Sequence, residues 1–352
     1  MPRGRRLLLY GANGYTAGLL LQRLQGLGAD VIAAGRNALA VRRVARRFGL
    51  EHRVFDLTGA RALDAQLRGV DLLVNAAGPF VRTTEPLVNA CLRQRIDYLD
   101  LSGEVDALQY VQGCDRFAKS QGILLLPGIG FDVAVSDCLA LFLSERLPGA
   151  DTLILSISPS NLLSRGSALA LVEQAGTFVR VRSAGALEPV RFRTQLRWVD
   201  FGAGHRPVIG VTWGDLVTAF WSTGIPNIEI YFEANAFRLL SVTANQYWGW
   251  VGRGGPGKSW LASWADLLPA DYSAADRSRQ GSVVIGEVRR GDRRERARLS
   301  TTEAYTCSAD VAALAIERVL TGTRRPGFAT PGQLFGADFV LAAPGTRREL
   351  LM

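Results

Sequence analysis

Lysine is almost missing from this chain. Only Lys119 and Lys258 occur among 41 basic residues, which leaves 39 arginines in 352 positions. The formal charge of +9 is therefore an arginine habit spread along the whole sequence, not a basic tail or stripe. Arg42, Arg43, Arg46 and Arg47 crowd one short helical stretch, and a solvated helix face accounts for them. Nucleic-acid binding would need aromatic residues interleaved with the cations, or a known module beside them. Neither is present, and a small molecule carrying phosphate is the simpler partner for excess positive charge. Cysteine is scarce too: Cys91, Cys114, Cys138 and Cys307 are scattered, with no CxxC and no metal-ligand spacing. They read as reduced structural thiols of a cytoplasmic protein, and no metal site is expected. No run of about 18 apolar residues occurs, so no membrane-spanning helix is expected. Leu7–Tyr10 is too short for the apolar core of a secretory signal. Repeats and low-complexity segments are absent as well.

The composition that remains is ordinary for a globular protein: 48% hydrophobic and 21% charged. Its order along the chain is more informative. Short apolar runs at Leu7–Tyr10, Asp30–Ala34, Val54–Leu57, Asp71–Ala76, Asp97–Leu101 and Ile123–Leu126 read as strands. Stretches of helical spacing separate them, the last at Val105–Ser120. Continuous apolar strands alternating with amphipathic helices imply a parallel sheet covered on both faces. The expected fold class is therefore α/β: a doubly wound Rossmann domain over residues 1–132, followed by a second α/β domain with a mixed sheet over 133–300. Residues 301–352 are expected to return to the Rossmann domain.

The first strand runs into Gly11-Ala12-Asn13-Gly14-Tyr15-Thr16-Ala17-Gly18, which opens a helix. That context makes a glycine string a dinucleotide signal. Gly11 allows a tight turn, and Gly14 lets backbone approach a pyrophosphate held on helix N–H groups. The third glycine of the usual pattern is displaced, with Ala17 in its place and Gly18 beside it. After the second strand comes Gly35-Arg36-Asn37, where an NAD site would offer a carboxylate to the ribose 2′-hydroxyl. None is present. Arg36 stands where a 2′-phosphate would lie, so NADP(H) is the expected cofactor.

The string Tyr10–Thr16 resembles the opening of the saccharopine-dehydrogenase-like oxidoreductases, a group that includes trans-acting enoyl reductases. Three further segments carry the resemblance: Asn75-Ala76-Ala77-Gly78-Pro79-Phe80, Tyr98-Leu99-Asp100-Leu101-Ser102-Gly103-Glu104, and Pro127-Gly128-Ile129-Gly130-Phe131-Asp132. It continues weakly through Ser164–Gly166, Ser222–Asn227 and Phe335–Phe339. The resemblance implies hydride chemistry on C–N or C=C bonds with a nicotinamide cofactor. It also implies cofactor contacts from Gly11, Asn13, Gly14, Tyr15, Thr16, Arg36, Asn37, Asn75, Ala77, Gly78, Pro79, Gly128, Gly130 and Phe131. All three segments follow carboxyl ends of parallel strands, where an open α/β sheet binds its ligands. Structural roles fit some of these residues equally well. Asn75 suits a strand-ending turn, Ser102 an N-cap with Glu104 in the first turn, and Asp132 the cap of a helix Val133–Leu147.

In the second half, Thr152–Ser158, Val190–Phe201 and Ile228–Ala234 read as strands and Ser167–Phe178 and Asp310–Thr321 as helices. Ser282–Arg289 and Arg294–Thr301 form a hairpin across Arg290–Arg293. The segment Phe237–Trp264 holds Tyr247, Trp248, Trp250, Trp260 and Trp264 around a glycine loop. It reads as an aromatic-packed helix pair, or as a lid or a surface in peripheral contact with lipid. Hydride transfer asks the protein for orientation, dryness and one group to handle a proton. His52 and His205 are poorly placed for that, which leaves Asp132, Glu104, Ser102 and Tyr231 as catalytic candidates. The second-half landmarks are mostly apolar and aromatic, so a fairly apolar imine or enoyl compound suits them better than a dicarboxylate. A small-molecule substrate is expected, with Trp213 and Tyr231 roofing the site, and a homodimer stays open. Two other readings remain: an NADP(H)-sensing regulator without turnover, and a Rossmann protein that binds a lipid surface or a partner.

Overall fold

The structure is a computed structural model that describes residues 5–27, 29–159, 178–190, 196–202, 204–234 and 281–352. It divides into two compact units. The first comprises Met1–Cys138 with Tyr305–Pro344, the second Leu139–Ala304 with Gly345–Met352. The segments 164–166, 167–177 and 237–264, to which the sequence assigned a landmark, a helix and an aromatic lid, lie outside the described residues.

The first unit is built on a seven-stranded sheet. Its strands are β1 (Arg6–Tyr10), β2 (Asp30–Gly35), β3 (Glu51–Val54), β4 (Leu72–Asn75), β5 (Asp97–Asp100), β6 (Leu124–Leu126) and the two-residue β15 (Gly327–Phe328). Their order is β15-β6-β5-β4-β1-β2-β3, and every pair is parallel. Helices α1 (Tyr15–Gly26), α2 (Ala38–Phe48), α3 (Ala60–Gln66) and α4 (Phe80–Gln94) make the first four connections. Leu7, Leu8 and Leu9 of β1 have no exposed surface, as a central strand covered on both faces demands. The chain winds from β1 toward β3, then returns to the other side of β1 with β4. That reversal places the switch point between β1 and β4, where the strand ends leave a crevice for a ligand. The seventh strand, β15, is too short to register as an apolar run. The single helix expected over Val105–Ser120 is two, α5 (Val105–Gly113) and α6 (Asp115–Gln121). Gly113 weakens the helix there, and Cys114 takes a bridge-region conformation that lets the chain bend.

The second unit holds a mixed sheet. In chain order its strands are β7 (Thr152–Ser158), β10 (Leu196–Asp200), β11 (His205–Gly210), β12 (Asn227–Glu233), β13 (Ser282–Arg290), β14 (Arg293–Thr301) and β16 (Arg347–Leu351). They lie side by side as β10-β11-β12-β7-β13-β14-β16. A hairpin of β8 (Val179–Ser183) and β9 (Ala186–Val190) joins through β12. Among the described strands, only β12 and β7 are parallel; the rest pair antiparallel. Gly291 takes a left-handed φ of 57° at the tip of the β13–β14 hairpin. On β13, a side chain at Gly286 would meet Leu143 at 2.6 Å, so glycine there lets the helix α7 (Ser136–Arg146) lie on the sheet. The last strand, β16, pairs with β14, so the final residues complete this second sheet.

At the amino ends of the first unit's strands, Asp97 acts as a clamp. Its side chain is 2% exposed and accepts from Arg5 at 2.6 Å, from Arg324 at 2.7 and 2.8 Å, and from the Leu124 N–H at 2.8 Å. These bonds join the chain's start, β5, β6 and the turn before β15. Charge-assisted bonds at a buried carboxylate are worth more than those at an open surface, although both arginines here are partly solvated. Asp97→Asn should therefore lower unfolding stability by about 2 kcal/mol, read from urea denaturation. Asp30→Asn, whose carboxylate pairs with Arg6 from an exposed position, should cost about 0.5 kcal/mol or less.

Candidate active site

The loop after β1 is shaped by two glycines with different duties. Gly11 has φ +83°, and a β-carbon there would lie 2.8 Å from Ala76 C, Ala77 N and Ala77 Cβ. It must be glycine so that this loop and the one after β4 can touch. Gly14 has an ordinary extended conformation, and a β-carbon would meet only the Gly11 and Ala76 carbonyl oxygens, at 3.2 and 3.8 Å. It is the N-cap of α1, whose first turn holds no acidic residue and receives no side-chain cap. A helix start without a side-chain cap, beside a switch point, fits a phosphate group. Ala17 is 1% exposed and takes the packing place of the third glycine, while a side chain on Gly18 would meet nothing within 4 Å.

At the end of β2, Asn13 Oδ1 lies 3.2 Å from where a Gly35 β-carbon would be, so Asn13 covers that turn. Arg36 is exposed. Burial pushes the Tyr10 hydroxyl up, and the Arg36 charge pulls it back. Asn37 has a structural role, because its Oδ1 accepts from the Ala40 N–H at 3.1 Å and caps α2. Tyr15 packs edge-on against Tyr305, their ring centroids 5.1 Å apart. Thr16 follows in the first turn of α1.

The loops after β4, β5 and β6 are knitted together. Asn75 is fully buried; its Oδ1 accepts from the Ala77 N–H, and its Nδ2 donates to Thr83 Oγ1 at 3.0 Å and to the Tyr98 hydroxyl at 3.2 Å. Gly78–Pro79 is a cis peptide, and Pro79 is the N-cap of α4. That helix start is capped from another element. Glu104 accepts the Phe80 N–H at Oε1 and the Val81 N–H at Oε2, both at 2.9 Å. The Ser102 hydroxyl in turn accepts the Glu104 N–H at 3.1 Å, just before α5. Gly128 has φ +71°, and a β-carbon there would strike Val133 at 2.7 Å. Gly130 is the N-cap of a π turn over Phe131–Val135 that leads into α7, with Asp132 in its first turn instead of at the cap. The Phe131 N–H donates to Ser308 Oγ at 3.0 Å, which ties this segment to the helix Ala304–Leu320.

Three carboxylates thus gather at these strand ends, in three different environments. Glu104 is spent on backbone donors. Asp100 has no exposed surface; burial pushes its carboxyl up from 3.8 to about 6, against the pull of donors from Gly128, Ser102 and Tyr98. Asp132 is half-buried, and burial together with the Glu104 charge likewise pushes it up to about 6. Tyr231 belongs to the second unit. Its ring packs with Ile154, Phe201, Val208 and Ile285, and its hydroxyl donates to Glu229 at 2.6 Å. Burial and that bond push its hydroxyl upward, away from proton donation near neutral pH. Trp213, in the same unit, packs on Phe232 with ring centroids 4.6 Å apart. Among the described residues, no group of three His, Cys, Asp or Glu side chains is arranged to hold a metal ion. No described helix is long and apolar enough to cross a membrane.

This geometry has counterparts in known proteins. Residues 7–120 match the family model of the saccharopine dehydrogenase NADP binding domain. The chain resembles the saccharopine-dehydrogenase-like oxidoreductases. A trans-acting enoyl reductase of Mycobacterium bovis is 30% identical over 139 residues, which are 37% of this chain and 33% of that one. A saccharopine dehydrogenase-like oxidoreductase of Mus musculus is 24% identical over 147 residues, 39% of this chain and 34% of that one. The matched part is thus about a third of each relative's length. Saccharopine dehydrogenase (L-Glu forming) of Saccharomyces cerevisiae shares the fold: TM-score 0.68 at 14% identity, covering 99% of this chain and 100% of that one. The cofactor of the first domain is a nicotinamide dinucleotide, and the residues around the β1 loop fit one.

Sequence reasoning picked out Asn75, Ser102, Glu104, Gly128 and Asp132, and the structure brings all five to neighbouring loops. It passed over Asp100, Tyr98, Thr83 and Ser308. Asp100 and Tyr98 lie inside a quoted motif, and the signal was two polar side chains alternating on a strand with no solvent-facing side. Ser308 arrives from a helix far along the chain, and nothing local announces it.

Asp132 makes a measurable contribution to pH dependence. Its folded carboxyl titrates near 6 and an unfolded one near 3.8, so the folded state holds the proton more tightly. Stability contributed by the protonated form is present below about pH 4 and is lost as pH rises through 6. Asp132→Asn should therefore gain stability relative to the parent over that window, by up to about 3 kcal/mol. Urea midpoints for both proteins between pH 4 and 7.5 test this; a difference that does not vary with pH would contradict it.

Proposed function

We propose that this chain is an NADP(H)-dependent reductase that adds hydride to a conjugated C=C (enoyl) or C=N (imine) bond of a fairly apolar small molecule. The observation that carries the reading is Asp132. It is a half-buried acid pushed to about 6, in the loop after β6 and close enough to feel the Glu104 charge. Hydride addition to either bond leaves a site that takes up a proton, and an acid poised near neutrality is suited to give it. When bound, the nicotinamide supplies the hydride. Asp132 is assigned the proton, and Glu104 the fixing of α4 and the loop before it. The descriptions of the relatives, enoyl reductase among them, support the reaction class. A cytoplasmic location belongs to the same reading.

NADP(H) over NAD(H) rests on Arg36, exposed at the end of β2 with no carboxylate in that turn. An arginine–phosphate contact is worth about 1.5–3 kcal/mol, or one to two decades of affinity. Arg36→Ala should weaken NADPH binding by that factor and leave NADH binding nearly unchanged, as fluorescence titration would read. Tighter binding of NADH than of NADPH by the parent would overturn the assignment. Gly14→Val should abolish binding of both. Because only two carbonyl oxygens lie near that β-carbon, the variant should still fold, which thermal melting without cofactor checks.

Turnover is tested by NADPH oxidation with a panel of enoyl thioesters and cyclic imines. Parent activity that falls at least about 100-fold in Asp132→Asn, with NADPH affinity kept, supports the assignment. NADPH binding without oxidation on any member of the panel would favour the NADP(H)-sensing reading instead.

A further inference from the structure

Strand β5 carries a buried aspartate at each end, and the two are partnered in opposite ways. Asp97, at the amino end, faces two arginines. Asp100, at the carboxyl end, has only neutral hydrogen-bond donors: the Ser102 and Gly128 N–H groups at Oδ1, both at 2.9 Å, and the Tyr98 hydroxyl at Oδ2, also at 2.9 Å. Its backbone oxygen also accepts the Ile129 N–H at 2.9 Å. A fully buried carboxylate without a cation is costly compared with an apolar residue of similar size. Stability alone does not explain its presence there.

What its donors share is location. Gly128 and Ile129 lie in the loop after β6, a few residues before Asp132. Ser102 lies in the loop after β5, where its hydroxyl receives the Glu104 N–H. Tyr98 receives Asn75 Nδ2, and Asn75 holds the loop after β4 through Ala77 and Thr83. Backbone bonds between the strand ends reach only the start of each loop, at Ala76, Leu101 and Ile129. We propose that Asp100 is the positioning residue of this site: its carboxylate locks the loops after β4, β5 and β6 into one arrangement, and so sets where Glu104 and Asp132 lie. The chemical importance of those two acids rests on the reductase reading, but their placement by Asp100 does not.

Charge and shape both matter to this role. An asparagine would keep one oxygen for the Ser102 and Gly128 N–H groups. It would turn an amide N–H toward the Tyr98 hydroxyl, whose oxygen already accepts from Asn75. An alanine would leave all three donors without an acceptor. The two variants therefore separate loop by loop, which a merely destabilising substitution would not do.

The experiment compares Asp100→Ala and Asp100→Asn with the parent and with Asp97→Asn, a control on the same strand whose bonds all lie at the far end. Amide hydrogen exchange at Phe80 and Val81 reports Glu104, with Leu8 of β1 as internal reference. The titration of Asp132, followed by carbon NMR of its carboxyl, reports the loop after β6. Neither readout needs substrate or cofactor, so failure here is distinguishable from failure to find a reaction. In Asp100→Ala, protection at Phe80 and Val81 should fall relative to Leu8 by about tenfold or more. The Asp132 midpoint should drop by about one pH unit or more as water enters. Asp100→Asn should keep both readouts near the parent while the Asn75 side-chain amide resonances move. Asp97→Asn should change none of them, whatever its loss of stability. The proposal is overturned if Asp100→Ala leaves both readouts at parent values, or if Asp97→Asn moves them as far. If Asp100→Ala does not fold, Asp100→Asn decides alone: unchanged Asn75 side-chain resonances, or an Asp132 midpoint displaced by a full unit, sink the idea.

Discussion

A carboxylate sealed from water needs donors, and Asp100 takes them from two loops and from a tyrosine that holds a third. The strands of a parallel sheet are registered by their ladders, but the segments leaving their carboxyl ends are not. In this protein those segments are joined by side chains. Asn75 ties its own loop to Tyr98, Tyr98 reaches Asp100, and Asp100 reaches Ser102 and Gly128. Glu104 then returns from the β5 loop to the start of α4 and closes the circuit. The arrangement depends on two left-handed glycines: a β-carbon at Gly11 would strike the loop after β4, and one at Gly128 would strike Val133 in its own segment.

The same functional group does four jobs here, and its surroundings assign them. Asp97 meets arginines and clamps the amino ends of the sheet. Asp100 meets neutral donors and organises loops. Glu104 meets a helix start, where backbone N–H groups and the helix dipole favour a negative charge. Asp132 meets burial and a neighbouring negative charge, which push its carboxyl up to about 6. Tyr231 has its hydroxyl committed to Glu229.

Cofactor seating separates in the same manner. Of the glycines in the first loop, Gly11 answers to the fold, since its β-carbon would collide with the backbone at 76–77. Gly14 is not required by backbone conformation, which makes it the better indicator of a ligand. Gly18 is required by neither packing nor conformation, and Ala17 fills the helix–sheet contact. A displaced glycine in the pattern is therefore compatible with an intact phosphate seat.

The alternation of apolar runs and helical stretches was enough to establish the doubly wound first domain, because a strand buried on both faces must be continuously apolar. The glycine string in its strand-to-helix context was a local signal, legible without coordinates. The β13–β14 hairpin was legible for the same reason. Beyond these, sequence alone could not say whether Asn75, Ser102, Glu104 and Asp132 were caps or chemistry. Each suits both, and the choice depends on partners distant along the chain. Tertiary structure supplies such partners: Glu104 caps a helix that begins 24 residues earlier, while Gly130, not Asp132, caps the segment Phe131–Val135. It also revealed Asp100, whose role is invisible in a motif because it arises only where three strand ends meet.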